Sequence, residues 1–483
     1  MRAAIDLSNG QWTNVPAYSL TPDKSSSVIN YLITETGAGV SRPGTATFVT
    51  PSASVVTVNG DTRVTGLFSF LDYLVAVDAN RRVYAIKSDA TQADITGATP
   101  LPGTSVPGFF NDNGKLLIYG GGAPLAWDGG ITPCALFAPN VSMPSPTSMV
   151  MLNRYLLANN IYRDLINFSD PVDHASWSLA TQFFTAESRN DPVIALGATF
   201  GELYAFGPET IDIYYFAASD TAGPFSLAWT IQRGLGAERG LASVDNTFYF
   251  IDSERKIIVL EARTPKVISL QIEKQLQAMT RVDDCVLHRV EFEGKHILAF
   301  VFPTAKTTLV YDYVLGHWTE WREYDPANGW QPMSMLAYAY QPKWGKHFCS
   351  DFTSASIYEL SSSYQDDHGN IRRCERETAP ITHGTHALKE STCFKLRCLR
   401  GTATSNTSTS EAYRPEVWLS WRDDNRGWSG PIRRSLGRMG DSDMYSAEWP
   451  RMGQYRARQY RITMSDPVDF ALISAEEDFS VIE

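Results

Sequence analysis

One pattern returns along this chain at intervals of roughly 33 to 50 residues. It consists of an apolar strand, a tight polar turn, and a second apolar strand that closes on an aromatic residue. Six copies run Leu67–Ile86, Phe110–Trp127, Met149–Phe168, Val193–Phe216, Leu241–Leu260 and Val286–Trp321, and a seventh runs Met335–Leu360. A unit of this length built from strands alone buries too little surface to stand by itself. Such units become stable by stacking face to face around an axis, which is the plan of a β-propeller. The repeat predicts an all-β fold with a propeller of six or seven blades.

Local signals agree with that plan. Val75–Asp78, Leu117–Gly120, Tyr204–Gly207, Phe248–Asp252 and Leu298–Phe302 are short apolar runs bounded by turn residues, as strands buried on both faces require. The strand after each ends on an aromatic, as at Tyr84, Trp127, Tyr214, Tyr311 and Tyr358. Tight connections recur at Asp78-Ala79-Asn80, Asp252-Ser253-Glu254 and Glu293-Gly294-Lys295. One stretch, Leu270–Met279, places Leu270, Ile272, Leu276 and Met279 at helical spacing and predicts a short helix between blades.

Residues 1–64 form an N-terminal segment with strand-like pieces at Val28–Thr34 and Val55–Val58, and Gly39–Gly44 reads as a turn and bend. Residues 65–363 carry the propeller. Residues 364–483 differ in character. Gln365–Glu377 reads as a polar linker and Gly401–Ser410 as a Gly/Ser/Thr loop. Pro415–Trp421 alternates like a strand, Arg422–Arg426 reads as a turn, Gln459–Met464 alternates again, and Val468–Ile473 is a last apolar strand. These predict a small antiparallel β-sandwich as a C-terminal β domain.

Charge is uneven. Lys395–Arg461 holds 13 Lys/Arg against 7 Asp/Glu, so +6 there against −11 overall leaves −17 for the remainder. An acidic body repels a nucleic-acid backbone. The basic stretch reads mainly as a solvated face. Its arginines Arg433, Arg434, Arg438, Arg451, Arg456 and Arg458 are the candidate contacts for an acidic partner. No run of 18 apolar residues occurs, so no membrane span is expected. Met1–Asp6 turns polar at once, which predicts a chain made and kept in a cytoplasm. The six cysteines show no CxxC pairing and read as reduced, mostly buried small residues.

Catalytic patterns do not emerge. HExxH, GxSxG and phosphate-loop spacings are missing, and Gly234–Gly240 fits neither nucleotide-binding pattern, reading as the approach to a blade. His383-Gly384-Thr385-His386 is a weak metal signal, better read as linker histidines. The paired carboxylates Asp283-Asp284, Asp366-Asp367 and Asp423-Asp424 read as solvated turn residues. Ser420–Trp428 approaches the Asp box of propeller glycosidases with the wrong spacing and reads as a hairpin turn packed by Trp428. No catalytic residue, metal ligand or cofactor is assigned. A glycan-binding or glycan-degrading propeller, of the phage depolymerase kind, is the alternative that the aromatic content keeps open.

Three stretches carry a family likeness. Gln275–Gln277 through Asp283–Cys285 and His288–His296, Trp418–Asp424 with Gly427–Ser429, and Ser465–Ile473 resemble the packaged-DNA stabilisation protein of short-tailed bacteriophages, the tail hub or nozzle. The likeness follows nearly the whole chain in length and order, on structural motifs without a chemical signature. The resemblance implies a non-enzymatic virion component that forms a hexameric ring of itself below the portal–adaptor complex. It implies retention of packaged DNA, part of the DNA-ejection channel, and an outside offered to tail spike, fibre or needle proteins. Double-stranded DNA would pass without sequence-specific binding, and assembly would occur in the host bacterial cytoplasm.

Overall fold

The structure is a computed structural model. It describes the chain except for residues 15, 52–60, 140, 187–190, 218–223, 401–413, 438–443 and 483. The strand expected at Val55–Val58 and the loop Gly401–Ser410 lie outside the described residues.

The repeats form seven four-stranded antiparallel blades. Blade 1 is Val64–Phe70, Tyr73–Asp78, Val83–Ile86 and Gln92–Asp94, and blade 2 is Gly108–Asp112, Lys115–Tyr119, Leu125–Trp127 and Ala135–Leu136. Blade 3 is Met149–Leu152, Tyr155–Asn159, Leu165–Phe168 and Phe183–Thr185. Blade 4 is Ala195–Thr199, Glu202–Phe206, Ile211–Phe216 and Phe225–Ile231, and blade 5 is Leu241–Val244, Thr247–Ile251, Ile257–Glu261 and Thr264–Val267. Blade 6 is Val286–Phe292, Lys295–Phe302, Thr307–Asp312 and His317–Asp325. Blade 7 has Tyr338–Gln341, Lys346–Ser350 and Ile357–Ser361, and takes its fourth strand, Gly44–Val49, from the N-terminal segment. Val64 and Leu67 of blade 1 then pack with Ala337, Phe348 and Ile357 of blade 7, so the ring closes at seven.

The apolar runs are buried because each blade is covered on both faces. Leu74, Val75, Ala76 and Val77 are fully buried, as are Phe300, Val301 and Phe302. Trp318 sits in the core between blades 5 and 6, and its indole N–H donates to Ile268 O at 2.9 Å. The expected helix forms as Glu273–Ala278, with Ile272, Leu276 and Met279 in that same core. Leu270 precedes the helix and is exposed. Gly234–Gly240 is the approach to blade 5. A Cβ at Gly234 would stand 1.8 Å from Pro208 O, so this close passage admits only glycine. From the same connection, Arg239 donates to Val106 O at 2.6 Å, on the connection between blades 1 and 2.

The C-terminal region is a β-sandwich. One sheet joins Ser25–Ile29, Cys374–Thr378, Arg458–Met464, Glu416–Asp423 and Ile432–Ser435. The other joins Tyr31–Ile33, Gly39–Ser41, Phe470–Ile482, Leu388–Arg400 and Met444–Tyr455, with Arg2–Ile5 added along Phe470–Ile482. Between them lies one core that includes Val28, Phe394, Leu396, Val417, Leu419, Trp449, Tyr460 and Leu472. Ser25–Ile29 also pairs with the outer strand of blade 6, in parallel at Ile29 and Glu320, and Gly329–Pro332 forms a hairpin with the end of that outer strand, so propeller and sandwich share one ten-stranded sheet.

Several local readings are corrected by long-range pairing. Gly39–Gly44 is not a free bend. Gly39–Ser41 is a strand held between Tyr31–Ile33 and Phe470–Ile482. Gln365–Glu377 is not a solvated linker, and Asp367 is not a solvated turn carboxylate. Asp367 is fully buried and pairs through both oxygens with the fully buried Arg42, at 2.7 and 2.9 Å. Arg42 also donates to Asn30 Oδ1, Pro43 O and Arg322 O. Arg372, nearly as buried, donates to Arg42 O and Tyr364 O. A charged, hydrogen-bonded hub thus joins the N-terminal segment, blade 6 and the sandwich. His383 is likewise no linker residue. Its ring stacks on Phe479 at 4.1 Å and lies 3.0 Å from the buried Glu477 carboxylate. Five of the six cysteines are buried and Cys393 is half-buried, all as free thiols.

Candidate partner-binding surface

The outward face of the ten-stranded sheet is set by alternation along Glu416–Asp423. Val417 and Leu419 point into the sandwich core, so Trp418, Ser420 and Arg422 point out. Register then places Arg433 opposite Trp418, and Arg461 opposite Ser420. Arg433 stacks on the Trp418 ring at 4.4 Å. Trp428 is flanked by Arg461 at 4.1 Å and Arg422 at 4.8 Å, so the hairpin expected around it is packed by two guanidinium groups. Arg373 lies over Tyr324, Trp330 and Trp418 at 4.6, 5.7 and 6.0 Å, which ties the blade 6 hairpin to the sandwich.

The six arginines singled out in the sequence do not form one patch. Arg433 and Arg434 lie on Ile432–Ser435, the edge strand of the sheet. Arg433 has a loose ion pair with Glu416 at 3.8 Å, and Arg434 donates to Glu448 O at 2.8 Å. Arg456 sits in the turn beside Asp424 and donates to His386 O at 2.9 Å. Five residues of extended strand, about 17 Å, separate Trp418 from the Asp423 end where Arg456 and Arg458 lie. Arg451 is exposed in the other sheet, with φ of 57° beside Gly453. Arg438 lies outside the described residues. Arg458 is fully buried, with its guanidinium on Asp423 at 2.5 and 2.9 Å and on Met452 O. Burial works against its charge, but Asp423 and Tyr460 outweigh it and hold its pKa above the usual value. Arg458 is therefore a structural member of the sandwich. Among the described residues Arg434, Arg451 and Arg456 make no ion pair.

The sequence reading missed Arg373, Arg422 and Arg461. Trp418, Ser420 and Arg422 follow a two-residue period that marks an outward face, but the strands that bring Arg373 and Arg461 beside it are remote in sequence. Arg461 is held by Glu375 and Glu377 across the sheet, which neutralises that part of the face.

Behind this surface, the hub contains a second carboxylate. Glu323 accepts from Ser334 N at 2.8 Å and lies 3.9 Å from His368 Nε2. Burial, then the nearby Asp367 charge, pushes its pKa up to about 7. Among the described residues no group of three His, Cys, Asp or Glu side chains is arranged to hold a metal ion. No described helix is long and apolar enough to cross a membrane.

Residues 74–365 match the family described as bacteriophage P22 Gp10, beta-propeller. The chain belongs to that family. It is a phage structural tail protein of the β-propeller kind, and so a virion tail component. No curated protein matches the chain. Among solved structures, the computationally designed Ika8 protein aligns with 10% identity and a TM-score of 0.41, over 65% of this chain and 99% of that one. Raptor from Chaetomium thermophilum aligns with 10% identity and a TM-score of 0.41, over 67% of this chain and 28% of that one.

Proposed function

We propose that this member of the Gp10 family is the tail hub, or nozzle, of a short-tailed phage. In this reading six copies form a ring below the portal–adaptor complex, retain the packaged DNA and line part of the ejection passage. Tail spike, fibre or needle proteins attach to the outside, and assembly takes place in the host cytoplasm. The observation that carries the reading is the single ten-stranded sheet running from blade 6 into the sandwich. A continuous hydrogen-bonded sheet stiffened by a buried ionic hub lets two domains bear load as one body, which a part holding pressurised DNA needs. The net charge of −11 also suits a wall past which phosphates slide rather than stick.

The exposed arginines Arg433, Arg451 and Arg456, with the half-buried Arg434, supply cations to an acidic neighbour in the tail, and Arg433 and Trp418 form a flat stacked surface. Native mass by light scattering, with and without a portal–adaptor complex, tests the reading. A monomer that assembles six-fold only on the complex supports it, and a chain that ignores the complex refutes it. Arg433→Glu with Arg434→Glu is expected to block docking while leaving the monomer folded. Unimpaired docking would remove these arginines from the interface.

A further inference from the structure

A cleft of about 490 Å³ opens between blades 2 and 3. Two tight hairpin turns form one side. Asn113 and Gly114 turn blade 2, and Asn153 and Arg154 turn blade 3, all with positive φ. The turns project Lys115 and Arg154 into the opening, and Phe137 and Met151 give it an apolar floor.

The opposite wall is the connection from 169 to 182, and it is pinned. His174 Nδ1 lies 2.8 Å from Asp112 Oδ1, and His174 Nε2 lies 3.0 Å from Arg154 O. The Trp177 indole, itself buried, donates to His174 O at 2.7 Å. Val172 stands at the rim, 84% exposed. The wall therefore needs no ordering before a ligand enters, which lowers the entropic cost of binding.

The charges are distributed unevenly. Several surface cations elsewhere are paired, as Arg63 with Asp61, Arg82 with Asp94, Arg281 with Asp283 and Lys343 with Asp72, while others such as Arg451 and Arg456 are not, among the described residues. Lys115 and Arg154 are exposed and have no ion-pair partner among the described residues. The two carboxylates of the cleft keep their negative charge, and each already accepts hydrogen bonds from neighbours. Asp112 is taken by His174 and Asn113, and Asp173 accepts from Ala175 N. What the cleft offers is two free cations above an apolar floor, a match for a carboxylate carried on a body with one apolar face. The opening lies at the ends of hairpins rather than along an unpaired strand, so it gives an extended peptide no backbone to pair with. A ring-shaped ligand is suited to it, and its volume lies in the range of small-ligand sites.

We infer that the cleft between blades 2 and 3 binds an acidic saccharide residue of the uronic or sialic acid class, with its carboxylate on Lys115 and Arg154 and its ring over Phe137. This site is independent of the tail-hub reading. Saturation-transfer NMR on the full chain tests it with glucuronic acid, N-acetylneuraminic acid, glucose and an N-acetyl-glutamate amide as probes. Transfer to the acidic sugars is expected, with little to glucose or to the glutamate amide. Lys115→Ala and Arg154→Ala are each expected to weaken binding roughly tenfold, because each removes a charge-assisted contact. Both residues are exposed, and an unchanged melting temperature verifies the fold of each variant. No transfer to either acidic sugar would overturn the inference. So would equal transfer to glucose, equal transfer to the glutamate amide, or binding that survives both substitutions.

Discussion

Replacing Glu323 by Gln should stabilise the protein, and the gain should grow with pH. The glutamate is buried in the hub, beside the Arg42–Asp367 pair and His368, and burial raises its pKa from 4.5 to about 7. A raised carboxyl pKa means that the folded state holds the proton more tightly than the unfolded chain. Its contribution to stability is complete below about pH 4.5 and is lost as pH rises through about 7. At about 1.4 kcal/mol per pH unit, that loss amounts to roughly 3 kcal/mol by pH 8. Gln is nearly isosteric, keeps an oxygen for Ser334 N and carries no charge to desolvate. The two proteins should therefore have similar urea midpoints near pH 4.5, and the variant should pull ahead through pH 6, 7 and 8. Other buried acids titrate in both proteins and cancel in the difference. A gap that does not change with pH would refute the reasoning, as would a variant less stable than the parent at pH 8.

Further outcomes follow from the same geometry. Arg42→Met leaves Asp367 buried without its cation and should cost about 3–5 kcal/mol in equilibrium unfolding. Trp318→Ala empties the core between blades 5 and 6 and removes the bond to Ile268 O, for about 3–5 kcal/mol by the same measurement. Gly234→Ala forces a methyl group against Pro208 O and should sharply reduce the yield of soluble protein. Deleting residues 1–49 strips the fourth strand from blade 7 and bares the Ile357–Ser361 edge, so size-exclusion chromatography should show aggregates instead of a monodisperse peak.

The candidate surface was legible only in part. Local charge picked out Arg433, Arg434, Arg451 and Arg456, which the fold leaves at the surface. The same signal picked out Arg458, which the fold buries against Asp423. A sequence gives an arginine's charge but not its partner, and only the pairing of Asp423 with Arg458 across two strands distinguishes it from its neighbours. For the same reason Glu323 escapes notice and Asp367 reads as a solvated turn carboxylate in the sequence, since each lies in a polar stretch that resembles solvated turns elsewhere.

What the sequence alone determined was the unit: strands buried on both faces, tight polar turns between them, a helix after blade 5, and an alternating C-terminal sandwich. These depend on side-chain period and turn chemistry within about 20 residues, where the chain carries its own information. What only tertiary structure decided was how the units close. Gly44–Val49 completes a blade more than 300 residues away, Gly39–Ser41 becomes a strand against Phe470–Ile482, and Ser25–Ile29 joins the propeller sheet to the sandwich. Each segment is short, and each is a strand because the exposed edge it meets has unpaired amide and carbonyl groups that burial requires to be satisfied. That requirement belongs to the partner edge and not to the segment, so no local pattern in the segment announces it.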